Sequence, residues 1–220
     1  MSQAAKRQGA GRFRYGGVLL LTLAVAVFAL VAPDRGGVRM LELLASGATL
    51  LVAVLTSRAP AGTRRLAGLG VGLVVVAAAI GAAIAGPHPP FTFAAIAVLL
   101  AGTAGVILAG LVRLVVERGV ILQAVFGALA VYVLVGLTFS FVIGAVATGV
   151  SGPYFASGTD ATQSARVYFS FTALTTTGFG DYTAAARGGR ALAVLEMLVG
   201  QLYLVTVIAT LVGNLRHQER

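Results

Sequence analysis

Long apolar blocks separated by polar links constrain this chain more than any other feature. They run at approximately residues 16–32, 38–56, 66–86, 91–115, 120–149 and 190–213. A helix needs about 20 apolar residues to cross the roughly 30 Å hydrocarbon core of a bilayer, and every block is near or above that length. With 58% hydrophobic and 10% charged residues, the composition excludes an ordinary soluble domain. The sequence therefore predicts an all-α membrane protein with six transmembrane helices.

The distribution of basic residues predicts the orientation of these helices. The chain carries 16 Lys and Arg against 7 Asp and Glu, but they are scattered over the links and form no basic stripe of the kind that binds nucleic acid. With the N-terminus inside, 11 basic residues lie on cytoplasmic segments and 5 lie outside, as the positive-inside rule requires. We expect a multi-pass protein of the cell (plasma) membrane, embedded in the lipid bilayer, with both termini cytoplasmic. A cleaved signal peptide in the first block stays an alternative, because basic residues precede it.

The link between the last two blocks is the longest, and long loops are usually functional. Its middle part, Ala165 to Thr175, is apolar but too short to cross a bilayer. This length fits a re-entrant helix, which enters the membrane and returns to the same face. Backbone of this kind is tolerated only where protein buries it or where it lines a water-filled path.

The residues that follow the short apolar stretch are Thr176-Thr177-Gly178-Phe179-Gly180-Asp181. Successive carbonyl groups can point to one side only if alternate residues take left-handed dihedral angles, which glycine adopts without a steric penalty. Gly178 and Gly180 stand at alternate positions. A column of carbonyl oxygens formed in this way can replace the hydration shell of a monovalent cation.

The segment from Tyr168 to Asp181 reads YFSFTALTTTGFGD and lies between two full-length apolar blocks. It resembles the pore loop of the potassium channel pore-domain superfamily, whose filter reads Thr-Val-Gly-Tyr-Gly-Asp. The resemblance covers about residues 120–216. It implies a homotetramer in which the loops of four copies surround K⁺, the permeant ion, with no other cofactor.

The resemblance assigns a role to each residue of the loop. Thr176 would supply the innermost K⁺ site through its hydroxyl and its carbonyl, and Thr177, Gly178 and Phe179 would supply the carbonyls above it. Gly180 would form the outer mouth. The residues expected to support the filter are Thr175, Asp181 and Tyr168, with the Tyr168 hydroxyl donating to Asp181.

The sixth block carries Gly200 near its middle. The resemblance implies a gating hinge at this glycine, while close packing of helices is the alternative that small residues in membranes favour. Gln201, Leu204 and Ile208 are expected to line a water-filled cavity. Glu196 has no basic residue three or four positions away, so we expect a hydrogen-bond partner for it behind the re-entrant helix.

The fourth block has no charge between residues 91 and 112, which excludes the arginine ladder of a voltage sensor. Arg39 and Glu42 lie on one helical face and are expected to pair near the outer surface. His88 and His217 have no companions at metal-ligand spacing and are interpreted as surface residues.

The predicted organisation has four parts. They are a cytoplasmic basic N-terminus (1–15), a four-helix accessory membrane bundle (16–119), a potassium-channel-like pore domain (120–216) and a short cytoplasmic tail (214–220). The pore domain comprises an outer helix (120–149), a pore helix (165–175), a filter (176–180) and an inner helix (190–213). The short tail leads us to expect no soluble ligand-sensing domain.

The expected function is passive and selective conduction of K⁺. A weakly selective cation channel stays an alternative because Thr177 stands where the family has Val, and a non-conducting membrane scaffold or transporter is the third hypothesis. No catalytic motif is visible, so the sequence predicts that the protein is not an enzyme.

Overall fold

The computed structural model describes residues 15–57, 61–85 and 90–211. In these ranges the chain forms seven α-helices, and the one extended pairing is an isolated bridge between Phe155 and Ala184. The helices are α1 (Tyr15–Val31), α2 (Gly36–Thr56), α3 (Ala61–Ala85), α4 (Pro90–Arg118), α5 (Leu122–Gly149), α6 (Gln163–Leu174) and α7 (Arg187–Tyr203), the last continued by a π-helical turn (Leu204–Ile208). The predicted all-α class is confirmed for this part of the chain.

Five of the described helices, α2 to α5 and α7 with its extension, are long and apolar enough to cross a membrane. The protein is therefore a multi-pass membrane protein. Helix α1 is apolar but has 17 residues, which at about 1.5 Å per residue span only about 25 Å. The apolar blocks predicted six spans. By length and composition, five of the described helices qualify as spans, and α1 is shorter than the rest.

Helix α5 is the centre of the bundle and packs against α1, α4, α6 and α7. Three glycines along it allow this close approach, because a Cβ atom at any of them would collide with a neighbouring side chain. It would stand 2.6 Å from Leu111 at Gly127, 2.9 Å from Phe171 at Gly136 and 2.4 Å from Phe93 at Gly144. Small residues are the usual means by which membrane helices pack closely.

The short helix α6 lies between α1, α5 and α7. It begins two residues before the predicted start of the re-entrant helix and ends one residue before its predicted end. Helix α7 begins at Arg187, three residues before the predicted inner helix. The helices α1 to α4 are called the N-terminal bundle below, and among their described residues α1 packs along α6.

The loop between α5 and α6 is hydrogen-bonded to the segment that follows the predicted filter residues 176–180. The Ala185 N–H donates to the Tyr154 carbonyl (2.9 Å), and the Ala156 N–H donates to the Thr183 carbonyl (2.8 Å). Phe155 is fully buried beneath this pairing, in a small apolar cluster that also contains Phe169 of α6. The loop between α5 and α6, which the predicted orientation places outside and which is called the outer loop below, is therefore held by packing on both sides.

Candidate functional site

Helix α6 has a capped start and one buried face. The Thr162 side chain accepts a hydrogen bond from the Ala165 N–H (3.3 Å), as an N-cap threonine does. The buried side chains include Val167, Ser170 and Leu174, which follow the spacing of a helix with one face against its neighbours. The Ser170 hydroxyl lies 2.6 Å from the carbonyl oxygen of Gly136 in α5.

The C-terminus of α6 is closed by the residues that follow it. The Thr176 N–H donates to the Ala173 carbonyl (2.9 Å) and the Thr177 N–H donates to the Thr172 carbonyl (2.9 Å). This pair of bonds is the Schellman arrangement, which requires a left-handed residue after the helix cap. That residue is usually glycine, but here it is Thr176, with φ of 58°.

Left-handed φ angles alternate along the predicted filter. Thr176, Gly178 and Gly180 have φ of 58°, 51° and 83°, while Thr177 and Phe179 between them are not in the left-handed region. The sequence predicted this conformation at the two glycines. It gave no signal for Thr176, because a β-branched residue rarely takes a positive φ. Such strain is found preferentially at functional sites.

The predicted filter residues are accessible in the single chain. Every residue from Thr175 to Asp181 is exposed, and Phe179 is 69% exposed. Their backbone is nevertheless attached to a packed helix at one end and to the fastened outer loop at the other. In one chain, residues 175–181 are therefore held at both ends, while their polar backbone is not covered by the rest of the same chain.

The residues predicted to support the filter are close to it. The Tyr168 ring stacks on Phe179 with centroids 6.2 Å apart and an interplanar angle of 8°, and it contacts the Tyr182 ring edge to face, also at 6.2 Å. The hydrogen bond expected between the Tyr168 hydroxyl and Asp181 stays a prediction. Asp181 accepts a bond from the Tyr182 N–H (3.1 Å). The ring contacts link α6 to the predicted filter residue Phe179 and to Tyr182 beyond it.

Thr175 orients the side chain of Thr177. The Thr175 hydroxyl donates to the Phe171 carbonyl (2.7 Å) and lies 2.9 Å from the Thr177 hydroxyl. A hydroxyl has one proton, so Thr177 is the donor in the second contact. The Thr177 hydroxyl is thereby turned back towards the end of α6.

Tyr154, in the loop between α5 and α6, packs against an aromatic residue of α6. Its ring contacts Phe155 and Phe169 edge to face, with centroids 4.9 Å and 6.4 Å away. Burial raises the pKa of Tyr154 to about 12, so the phenol keeps its proton and donates to the Gly189 carbonyl (3.5 Å). This contact ties the outer loop to the start of α7.

Helix α7 touches the inner end of α6 at Gly200. A Cβ atom there would stand 2.3 Å from the Leu174 carbonyl oxygen, which also accepts a bond from the Tyr132 hydroxyl (3.3 Å). The residues expected to line a cavity differ in exposure: Gln201 is exposed, whereas Leu204 and Ile208 are half-buried. Ile208 packs on the main core cluster, and the π-helical turn containing it follows Gly200 closely.

Glu196 lies one turn before Gly200 and is fully buried. Its Oε1 atom is hydrogen-bonded to the Ser170 hydroxyl, and its Oε2 atom has no partner among the described residues. The sequence predicted a partner behind the re-entrant helix but could not identify Ser170, which is an unremarkable residue of an apolar stretch.

Arg39 and Glu42 pair at 2.9 Å, as their spacing predicted, but each is only 3% exposed. The pair therefore does not extend its charges into water as expected, because it is buried within the bundle, with the Phe93 ring of α4 4.2 Å from the Arg39 guanidinium carbon. Among the described residues no group of three or more His, Cys, Asp and Glu could hold a metal ion. His88 and His217 lie outside the described residues.

Comparison with known proteins gives one match. The family model described as "Ion channel" matches residues 129–217, which contain most of α5, all of α6 and the filter residues, and α7. This confirms the resemblance of this part of the chain to channel pore domains and supports ion channel function. The comparisons with curated proteins and with solved structures found no match.

Proposed function

We propose that four copies of this chain form a potassium-selective channel in which residues Thr176 to Gly180 surround the conduction axis. The observation that carries this proposal is the alternation of left-handed φ angles at Thr176, Gly178 and Gly180. Alternation directs carbonyl groups to one side, and carbonyl oxygens replace the water shell of K⁺. The position of the segment at the C-terminal, negative end of a helix dipole also favours a cation.

A tetramer accounts for the exposure of the filter residues. One chain supplies one wall, and an axial ion needs oxygens from several sides. In the assembly proposed here, residues 176–180 of each copy face the axis, and Gln201, Leu204 and Ile208 border a cavity beneath them. The mass of the detergent-solubilised protein tests this assembly, and a monomer or dimer that still conducts contradicts it.

The proposed membrane topology has α1 to α5 and α7 as six spans and α6 as a re-entrant pore helix. Both termini are cytoplasmic, the protein resides in the cell membrane, and residues 16–119 form an accessory bundle beside the pore domain. The chain contains no cysteine, so single-cysteine variants test this layout directly. Ser157→Cys should react with an impermeant maleimide from outside and Glu117→Cys only from inside; the reverse pattern refutes the topology.

Selectivity is tested by reversal potentials of the purified protein in planar bilayers under opposed K⁺ and Na⁺ gradients. A potassium-selective channel reverses near the K⁺ equilibrium potential. A weakly selective cation channel, the alternative raised by Thr177, reverses near zero, and a scaffold gives no current. Thr177→Val removes the hydroxyl that bonds to Thr175 and keeps the backbone carbonyl, so K⁺ preference should be equal or higher.

Gly178→Ala separates filter chemistry from a general effect on folding. Gly178 has open space around it but a φ of 51°, and a side chain in this conformation costs about 1–2 kcal/mol. We expect K⁺ current or selectivity to be lost. Gly158→Ala is the matched control, because Gly158 has φ of 80° and open space in the outer loop. Unchanged selectivity in Gly178→Ala would refute the filter.

A further inference from the structure

A carboxylate from the N-terminal bundle lies at the start of α6. The Gln163 N–H donates to Asp34 Oδ2 at 3.2 Å, a contact between residues 129 positions apart. Asp34 belongs to the link between α1 and α2, and Gln163 is the first residue of α6. The N-terminus of a helix carries unpaired N–H groups and partial positive charge, so a carboxylate stabilises it.

Asp34 is held in place by a buried arginine. Arg39 of α2 forms an ion pair with Asp34 and a second one with Glu42 at 2.9 Å. The Arg39 side chain is 3% exposed, and its guanidinium carbon lies 4.2 Å from the centre of the Phe93 ring in α4. A buried arginine with two carboxylate partners has few alternative positions, so Asp34 is presented to α6 by a rigid support.

The same Phe93 ring connects this support to α6 by a second route. The Arg166 guanidinium carbon of α6 lies 5.0 Å from the ring centre, and Arg166 donates to the carbonyls of Asp160 (3.0 Å) and Ala161 (2.8 Å). Phe93 is seated on Gly144 of α5, where a Cβ atom would stand 2.4 Å away. The bundle therefore holds the first turn of α6 through Asp34 and through the Arg39, Phe93 and Arg166 stack.

We infer that Asp34 is a positioning residue for ion selectivity and that the N-terminal bundle sets the geometry of the filter through it. This inference rests on the proposed channel function. Helix α6 has 12 residues, and its last turn is bonded directly to Thr176 and Thr177. A displacement of its first turn is therefore transmitted along one rigid helix to the filter, whereas a passive anchor would affect only assembly and stability.

The test compares wild type, Asp34→Ala and Asp34→Asn for the K⁺/Na⁺ permeability ratio, tetramer mass and thermal midpoint. Removal of a carboxylate from a helix N-terminus corresponds to about a two- to fivefold change in an equilibrium, and up to about thirtyfold where the carboxylate is partly buried. We expect a fall of that order in the permeability ratio while the tetramer persists. Arg35→Gln is the matched control. Arg35 is adjacent to Asp34 and exposed, and its substitution also changes the local charge by one unit.

Gln163→Pro identifies the bond through which Asp34 acts. Proline at the first position of a helix removes the N–H and is compatible with helical geometry, and Thr162 before it already has the extended conformation that proline requires (φ −77°, ψ 166°). We expect Gln163→Pro to lower the permeability ratio, and adding Asp34→Ala should lower it no further. Gln163→Ala controls for loss of the side chain.

The outcomes separate this inference from the proposed function. A wild-type protein that does not prefer K⁺ refutes the proposed function and the inference with it. A selective wild type whose Asp34→Ala and Asp34→Asn variants keep the wild-type ratio refutes the inference alone, whatever their stability. If Asp34→Ala does not assemble, Asp34→Asn decides. It keeps the shape and the acceptor oxygen but removes the negative charge that pairs with Arg39 and with the helix N-terminus, so a wild-type ratio in Asp34→Asn alone then refutes the inference.

Discussion

Gly200 of α7 lies directly against the main-chain carbonyl of Leu174, the last residue of α6. A Cβ atom at position 200 would stand 2.3 Å from that oxygen and 3.1 Å from the carbonyl carbon. Both obstacles belong to the backbone, so no side-chain movement can relieve them. The C-terminal end of α6 and the middle of α7 are therefore in contact only because position 200 has no side chain.

This contact predicts that Gly200→Ala destabilises the protein. The helices must separate by several tenths of an ångström or more, and overpacking of this kind costs about 1–3 kcal/mol. The thermal midpoint of the detergent-solubilised protein should fall and K⁺ current should be reduced. Gly188→Ala on the same helix has open space and should behave as wild type.

The same pair of variants separates the packing and hinge interpretations of Gly200. A hinge requires flexibility and predicts altered opening with unchanged stability. Helix α7 can also bend at a place other than Gly200. The π-helical turn Leu204–Ile208 follows it, and helices kink at irregularities of this type. An unchanged thermal midpoint in Gly200→Ala would favour the hinge.

Thr176→Gly should lower selectivity without lowering stability. Relief of the left-handed conformation is worth about 1–2 kcal/mol, which offsets the roughly 0.5–1 kcal/mol that glycine loses in backbone entropy. The hydroxyl proposed for the innermost site disappears. Ala161→Gly is the control, because Ala161 also has a positive φ of 55° but lies outside the filter. A selective Thr176→Gly channel would contradict the role of the hydroxyl.

Glu196→Gln should assemble normally, whereas Glu196→Ala should not. The Ser170 hydroxyl contacts both the Gly136 carbonyl and Glu196 but has only one proton. If that proton goes to the Gly136 carbonyl, the side chain at position 196 must donate to the Ser170 oxygen for the Ser170, Gly136 and residue 196 groups all to be hydrogen-bonded. An amide can donate to the Ser170 oxygen, while alanine leaves a cavity at a fully buried position, and truncating a buried side chain of this size to alanine costs about 2–5 kcal/mol. Tetramer yield measures both variants, and failure of Glu196→Gln would show that a negative charge is required.

Tyr168→Phe and Asp181→Asn should have similar effects on the filter. Tyr168→Phe keeps the stack on Phe179 and removes the hydroxyl that is expected to donate to Asp181, and Asp181→Asn removes the charge of the expected acceptor. Both should lower the K⁺/Na⁺ permeability ratio. Because residues in one contact are not additive, the double variant should resemble the more severe single one. Additive losses would mean that the two residues act separately.

Conduction should depend only weakly on voltage. Helix α4 has no charged residue from Pro90 to Val112, and each elementary charge that crosses the membrane field contributes about 2.3 kcal/mol per 100 mV. The buried charges Arg39 and Glu42 are paired with each other and cannot move freely. Current–voltage relations in symmetrical K⁺ measure this, and steep activation would require a gating charge elsewhere in the chain.

The amino-acid sequence by itself determined the helical class, the position of the short helix before residues 176–180 and the left-handed conformation of Gly178 and Gly180. These features depend on local properties: the length of an apolar block sets whether it can span the bilayer, and glycine alone tolerates a positive φ without strain.

The tertiary structure decided the contacts that join distant segments. Thr176 takes a conformation that its own side chain disfavours because the Schellman bonds to Ala173 and Thr172 require it. Ser170 becomes the partner of Glu196 only when α6 packs against α7, and Asp34 reaches Gln163 across 129 residues. Such contacts depend on which helices pack together, and apolar blocks of similar composition carry no local signal that selects one neighbour over another.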